Sequence, residues 1–92
     1  MKLSDDEYGS TKLYILRKLA SHGYIGARHT SIDNLPKGLP GRLRSEAKGV
    51  ARDLITEGLL LSHPTSYGIQ VALNPRMMDE IKKMLEQDHS FT

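Results

Sequence analysis

The sequence predicts a small α+β domain, mostly helical, with a three-helix core, a two-stranded hairpin and an extra C-terminal helix. A capped amphipathic helix opens the chain over about residues 5–22. A second amphipathic helix, over about 40–57, ends at Gly58, and two apolar strands follow at once, which predicts a helix leading into a hairpin. Asn74–Pro75, a cap followed by a first-turn proline, then starts a last helix.

Length and composition predict one domain and exclude several classes of protein. The 92 residues form a single unit with its core over about 10–85. No stretch approaches membrane-spanning length, and the acidic start of the chain lacks the apolar run of a signal peptide. The absence of cysteine removes disulfides and thiolate metal ligands. We therefore expect a cytoplasmic protein without membrane contact, and a frayed tail over Gln87–Thr92.

Helix one is predicted from its cap, its charges and its apolar face. Ser4 is a good N-cap, and three acidic residues follow it where the helix dipole stabilises anions. Gly23 is the stop signal. The inward face consists of residues at helical spacing: Leu13, Leu16, Leu19 and Ala20.

The segment after helix one predicts a short strand and a short second helix. Tyr24–Gly26 is an apolar triplet that can pair with the hairpin as a third strand. Thr30 or Ser31 then caps the second helix, with Asp33 three positions after Thr30 as in a capping box. Pro36 limits how far this helix continues.

Helix three is predicted as one continuous helix whose inward arc is Leu43, Ala47, Val50 and Leu54. In the hairpin, Leu59 and Leu61 share one side, so Leu60 is expected to face outward, and Pro64–Gly68 forms a five-residue tip. Helix four carries an apolar stripe made of Met77, Ile81, Met84 and Leu85.

Charge is distributed unevenly, although the formal net charge is only +2. Two acidic residues interrupt a basic middle segment with these six cations: Arg28, Lys37, Arg42, Arg44, Lys48 and Arg52. Both ends of the chain are acidic, which predicts an oriented electrostatic field rather than a general polycation. The alternative is the ordinary alternation of charge on a solvated helix face.

The segment Val50–Leu60, Val-Ala-Arg-Asp-Leu-Ile-Thr-Glu-Gly-Leu-Leu, resembles the helix-to-wing junction of winged helix-turn-helix regulators of the MarR and ArsR type. The stretch from His63 to Pro75 is also similar to small stand-alone archaeal winged-helix proteins. The resemblance covers about residues 10–85. It implies a winged helix-turn-helix that binds double-stranded DNA as a transcriptional regulator or chromatin-associated factor, without a cofactor.

The resemblance also implies which residues contact DNA, with helix three in the major groove and the hairpin tip on the backbone. The expected contact residues are Lys37, Arg42, Arg44, Ser45, Lys48, Arg52, Thr65, Ser66 and Tyr67. Arg44 and Lys48 can reach base edges or phosphates, while Arg52 is placed to meet a phosphate. Arg28 and His29 flank the site.

Other interpretations stay open at this point. A winged helix can instead bind RNA or a protein partner in a larger assembly, and Gly38–Gly41 formally matches the GxxG loop of KH RNA-binding domains. Tyr67 can pack back onto the hairpin. The histidines lack metal-ligand spacing and no phosphate-binding glycine loop is present, so we expect no enzyme and no metal site. A homodimer through the C-terminal helix is predicted from exposed apolar groups: Leu60, Met77, Met78, Met84 and Phe91.

Overall fold

The computed structural model describes residues 3–87 and forms an α+β domain, which confirms the predicted fold class at that level. The helices and strands, in chain order, are α1 (Asp5–Ser21), β1 (Thr30–Ser31), α2 (Gly41–Arg44), α3 (Ala47–Thr56), β2 (Leu60–Thr65), β3 (Gly68–Leu73) and α4 (Met78–Glu86). Short 3-10 turns cover Ile32–Asn34 and Pro75–Met77. The fraying expected beyond Gln87, and Phe91 of the expected dimer surface, lie outside the described residues.

The N-terminal helix α1 has the predicted cap and stop. The Ser4 hydroxyl accepts the Glu7 N–H at 3.1 Å, and the Glu7 carboxylate accepts the Ser4 N–H at 3.0 Å, so a complete capping box begins the helix. The Ser4 N–H, with a smaller contribution from Arg42, holds the pKa of Glu7 below its ordinary value. Gly23 follows the helix with φ 71°, a conformation that glycine adopts without strain.

The sheet is antiparallel with strand order β1-β3-β2, and its third strand is not the one predicted. Thr30 and Ser31 pair with β3, whereas Tyr24–Gly26 forms only an isolated bridge between Ile25 and Leu73. The prediction was wrong because this triplet is still completing the end of α1. The Tyr24 N–H donates to Leu19, and Gly26 has φ 63°, which turns the chain away after one bridge.

The second helix is a 3-10 turn rather than an α-helix. Ser31 caps it by accepting the Asp33 N–H at 3.1 Å. Thr30 does not cap, because its hydroxyl accepts a hydrogen bond from the Asn34 side chain at 2.9 Å. Pro36 follows within two residues of the turn's end and prevents a longer helix.

The predicted continuous helix three is wrong, because it is divided into α2 and α3 at Ser45 and Glu46. The Glu46 N–H bonds to Leu43, three residues back, which tightens the turn. The Ser45 hydroxyl donates to the Arg42 carbonyl at 3.0 Å and so competes for backbone that a continuous helix would use. The inward arc survives in α3, where Ala47, Val50, Ala51 and Leu54 are buried.

The hairpin has a two-residue tip rather than five, because Thr65 pairs with Gly68 and leaves only Ser66 and Tyr67 in the turn. Leu60 does not face outward as predicted. It pairs with Leu73 on the face toward the core and is 2% exposed. Because neighbouring strand residues face opposite ways, this register turns Leu61 to the other face.

The last helix closes the core. The Asn74 side chain accepts the Arg76 N–H at 3.1 Å, which confirms the predicted cap, although the first turn is 3-10. Ile81 is completely buried, while Met77, Met84 and Leu85 pack on the cluster as partly buried groups. That cluster joins α1, α3, the sheet and α4, and its fully buried large side chains include Ile15, Leu16, Leu19, Leu35, Leu54, Leu60, Val71 and Leu73.

Candidate nucleic-acid interface

Helix α3 separates its charges onto two edges. At about 100° per residue, Lys48 and Arg52 lie about 40° apart around the helix. Asp53 and Glu57 lie about 140° further round, toward α1. These two carboxylates contact α1, because Asp53 accepts the Tyr8 hydroxyl proton at 2.6 Å and Glu57 accepts Lys12 Nζ at 2.9 Å. We call Lys48 and Arg52 the cationic edge, and the acidic side of the same helix points away from it.

The two cations of this edge have different surroundings. Lys48 forms an ion pair with Asp33 of the neighbouring 3-10 turn, and both side chains are about half exposed. The hydrogen bond and charge from Lys48 hold the pKa of Asp33 below its ordinary value. Arg52 is exposed and forms no ion pair within residues 3–87. An exposed pair contributes about 0–1 kcal/mol, so an incoming phosphate can replace Asp33 at little cost.

Helix α2 carries the other predicted groups. Arg42 pairs with Glu7 at 3.1 Å, in an ion pair whose Arg42 side chain is exposed and whose Glu7 side chain is partly buried. The Arg44 guanidinium donates to the Leu39 carbonyl at 3.0 Å, which ties this side chain to the loop before α2. The Ser45 hydroxyl already donates to the backbone, so it keeps only acceptor capacity for a ligand. The break between α2 and α3 places Arg44 on a different helix from Lys48 and Arg52.

Lys37 lies in the loop before α2. Its backbone carbonyl, rather than its side-chain ammonium, is hydrogen-bonded to other residues. The Lys37 carbonyl accepts the Tyr14 hydroxyl at 2.5 Å and Lys18 Nζ at 2.7 Å. The Lys37 side chain is exposed. A fixed backbone with a free ammonium suits a flanking phosphate contact.

The hairpin tip presents its residues to solvent. The Thr65 hydroxyl accepts the Tyr67 N–H at 3.1 Å and donates to the Gly68 carbonyl at 2.8 Å, so Thr65 fixes the turn. Ser66 is exposed, and Tyr67 is 94% exposed and does not pack back onto the hairpin. Both α3 and the hairpin extend from Gly58, over about 15 Å and about 20 Å respectively.

The two flanking residues are engaged elsewhere. The Arg28 guanidinium lies 6.0 Å from the centre of the Tyr24 ring, next to the end of α1. The His29 ring lies 4.9 Å from the His63 ring, and β-strand alternation places His63 on the face of the sheet opposite the core. The structure therefore places Arg28 beside the Tyr24 ring and His29 beside the His63 ring.

The sequence analysis did not predict the side-chain bonds that join α1 to α3 and its C-cap. The hydrogen bond to Asp53 is the main reason, ahead of burial, that the pKa of Tyr8 rises to about 12. In each of the two bonds, Tyr8 to Asp53 and Lys12 to Glu57, the partners lie 45 positions apart in the chain.

A second surface that the sequence analysis missed is formed by Tyr14, Lys18 and His22, which share one side of α1. Their four-residue spacing was the available signal.

We expect Tyr8→Phe to destabilise the domain by about 1 kcal/mol at pH 7, because it removes one hydrogen bond to a carboxylate. A free tyrosine has a pKa of about 10. Since the folded pKa is higher, at about 12, the stabilisation is complete below pH 10 and is lost as the pH rises from about 10 to 12. Urea unfolding of both proteins across this range measures the difference.

Tyr67→Phe is the matched control for Tyr8→Phe, because its hydroxyl lies on a 94% exposed side chain. This variant should match the parent protein at every pH. A Tyr8→Phe difference that stays constant from pH 8 to pH 12 would contradict the assignment of the hydrogen bond.

Comparison with known proteins finds no match for the chain among family models, curated proteins or solved structures. Within residues 3–87, no helix combines the length and apolarity needed to cross a membrane.

Proposed function

We propose that the domain is a winged helix-turn-helix that binds double-stranded DNA, as a transcriptional regulator or chromatin-associated factor. The observation that carries the proposal is the separation of charge on α3, whose acidic edge is bonded to α1 while Lys48 and Arg52 face solvent. The sheet order β1-β3-β2, with α3 leading directly into the hairpin, supports it as the arrangement of a recognition helix and its wing.

In this proposal α3 enters the major groove, which is wide enough for one α-helix. Lys48 and Arg52 neutralise phosphates or reach base edges, and Arg44 and Lys37 contact the flanking backbone. The exposed wing tip, Ser66–Tyr67, meets the adjacent backbone or minor groove. Phosphate contacts supply affinity and position, while base contacts supply sequence preference.

Fluorescence anisotropy against duplex DNA, duplex RNA and single strands, each over a range of salt, tests the proposal. With about four phosphate contacts, the logarithm of the duplex DNA association constant should fall with the logarithm of salt at a slope of about −3.6. Tighter binding to duplex RNA would favour the alternative of an RNA-binding winged helix. Absence of binding to every nucleic acid at low salt would favour a module for protein contacts.

Asp33→Asn should tighten duplex DNA binding by up to about fivefold, the range of one exposed ion pair. The substitution releases Lys48 and removes a carboxylate from the rim of the site. Anisotropy titrations at low salt measure the change. Asp79→Asn, which removes an exposed carboxylate from α4, is the control and should have a smaller effect. Binding by Asp33→Asn that is no tighter than binding by Asp79→Asn would mean that Asp33 does not compete with DNA for Lys48.

A homodimer through α4 is also part of the proposal, but the structure leaves it less apolar surface than the sequence indicates. Leu60 and Ile81 are buried in the chain's own core, and Met84 and Leu85 are partly covered. Light scattering at micromolar concentration measures the oligomeric state, and a monomer would mean that one copy binds one site.

A further inference from the structure

A second surface, on α1, combines aromatic rings with cations away from the cationic edge of α3. Tyr14, Lys18 and His22 follow one another at four-residue spacing, so they lie along one side of the helix and its cap. Tyr24 continues this surface after the Gly23 turn. We call these four residues the aromatic ledge.

Two rings of the ledge are parallel. The His22 and Tyr24 planes are inclined by only 8°, with centroids 5.9 Å apart. His22 Nδ1 lies 2.8 Å from the Lys18 carbonyl. Because a carbonyl can only accept, Nδ1 carries the proton, and in the neutral ring Nε2 is left as an acceptor. The ledge therefore offers a held aromatic platform with one acceptor at its edge.

Cations lie beside the ledge, and the Arg28 guanidinium lies 6.0 Å from the centre of the Tyr24 ring. Lys18 Nζ lies 5.6 Å from the centre of the Tyr14 ring and donates to the Asn34 and Lys37 carbonyls at 2.8 and 2.7 Å. Since an ammonium has three donors, one remains for a ligand. Burial, and then the charge of Lys37, lower the pKa of Lys18. The proximity of two ammonium groups makes this end of the ledge suitable for an anion.

A cavity of about 200 Å³ lies between the ledge and the segment 30–37. It is smaller than the roughly 300–1,000 Å³ of sites for drug-sized ligands, so it suits one planar ring system. Asn34 lines it, and its Oδ1 forms no hydrogen bond within the described part of the chain. This oxygen gives the cavity an unused acceptor, which matches an amino group on a heteroaromatic ring better than a plain phenyl ring.

We propose that the aromatic ledge binds a nucleotide, with an amino-bearing base on His22 and Tyr24 and its phosphate between Lys18 and Lys37. The nucleotide can be free or part of a single strand, since both present the same base and phosphate. Aromatic platforms beside cations bind single-stranded nucleic acids in this way. The site is separate from the proposed duplex interface and shares only Lys37 with it.

Titration of the isotope-labelled protein with AMP, followed by amide NMR shifts, tests this site. AMP should shift the signals of Lys18, His22, Tyr24 and Asn34 and bind more tightly than UMP, whose base has no amino group. Inorganic phosphate and phosphotyrosine should bind more weakly than AMP. Equal binding of phosphate would reduce the site to anion attraction, and equal binding of phosphotyrosine would identify a phosphopeptide site; either would overturn the proposal.

His22→Ala should weaken AMP binding at least about fivefold, the lower end of the contribution from stacking one base. His63→Ala removes another exposed histidine, from the sheet, and should leave AMP affinity unchanged. Tyr24→Leu should weaken AMP as well, with dispersed amide signals reporting that it folds. Unchanged AMP affinity in both ledge variants, or no shifts with AMP at millimolar concentration, would contradict the site.

Two further measurements distinguish a free nucleotide from a nucleotide within a strand, and distinguish the ledge site from the proposed duplex interface. An adenine single strand that binds more tightly than AMP, with a steep salt dependence, identifies a strand, whereas equal affinity identifies the free nucleotide. Lys48→Ala should leave AMP binding intact. Failure of duplex binding alone therefore does not remove the ledge site, and failure of AMP binding leaves the proposed DNA interface standing.

Discussion

Replacing Lys48 and Arg52 together with alanine should weaken duplex DNA binding by about tenfold or more at low salt, and should reduce the salt slope by about two. Both cations lie one turn apart on the exposed side of α3. The double substitution removes both positive charges of the cationic edge. Asp53 and Glu57, on the other side of α3, bond to α1 and not to these cations. Anisotropy titrations at several salt concentrations measure both the affinity and the slope.

Lys82→Ala with Lys83→Ala is the matched control, because it removes the same two charges from exposed positions on α4. This pair should change the slope much less, since net charge alone has a weaker effect than direct phosphate contacts. If both double variants lose affinity equally, binding depends on the overall charge and α3 is not the interface. Neither double variant should unfold the domain, because all four side chains are exposed.

Local chemistry explains which parts of the fold were predictable. The Ser4 cap, the Gly58 stop and the Asn74 cap involve residues no more than a few positions apart, and the structure contains all three. The side-chain orientations in Leu59–Leu61 were harder to predict, because a shift of one residue in register decides whether Leu60 or Leu61 faces the core. That register is set by pairing with β3, thirteen positions away for Leu60 and Leu73.

The candidate interface was predictable only in part for a related reason. Helical periodicity places Lys48 and Arg52 on the outward side of α3, which the structure confirms by their exposure. It does not reveal that Lys48 faces Asp33, which precedes it by fifteen positions. The third strand and the α2–α3 break likewise depend on bonds that compete with the regular helix and strand patterns.

Gly38→Ala should destabilise the domain by about 2–3 kcal/mol, more than Gly58→Ala at about 1 kcal/mol. Both glycines have positive φ, 93° and 84°, so both substitutions carry the cost of a left-handed alanine. Around Gly58 a new methyl group meets open space. At Gly38 it overlaps the Tyr14 hydroxyl, which must move off the Lys37 carbonyl that it holds.

A double-mutant cycle with Tyr14→Phe isolates the free energy lost when the new methyl group displaces the Tyr14 hydroxyl from the Lys37 carbonyl. Removing the hydroxyl relieves the overlap, so Gly38→Ala should cost only about 1–2 kcal/mol in the Tyr14→Phe background, close to the value at Gly58. Urea unfolding of the four proteins gives the coupling free energy. Additive effects would mean that the loop holding Lys37 moves freely, and Tyr14 would then not fix the backbone that the interface and the aromatic ledge share.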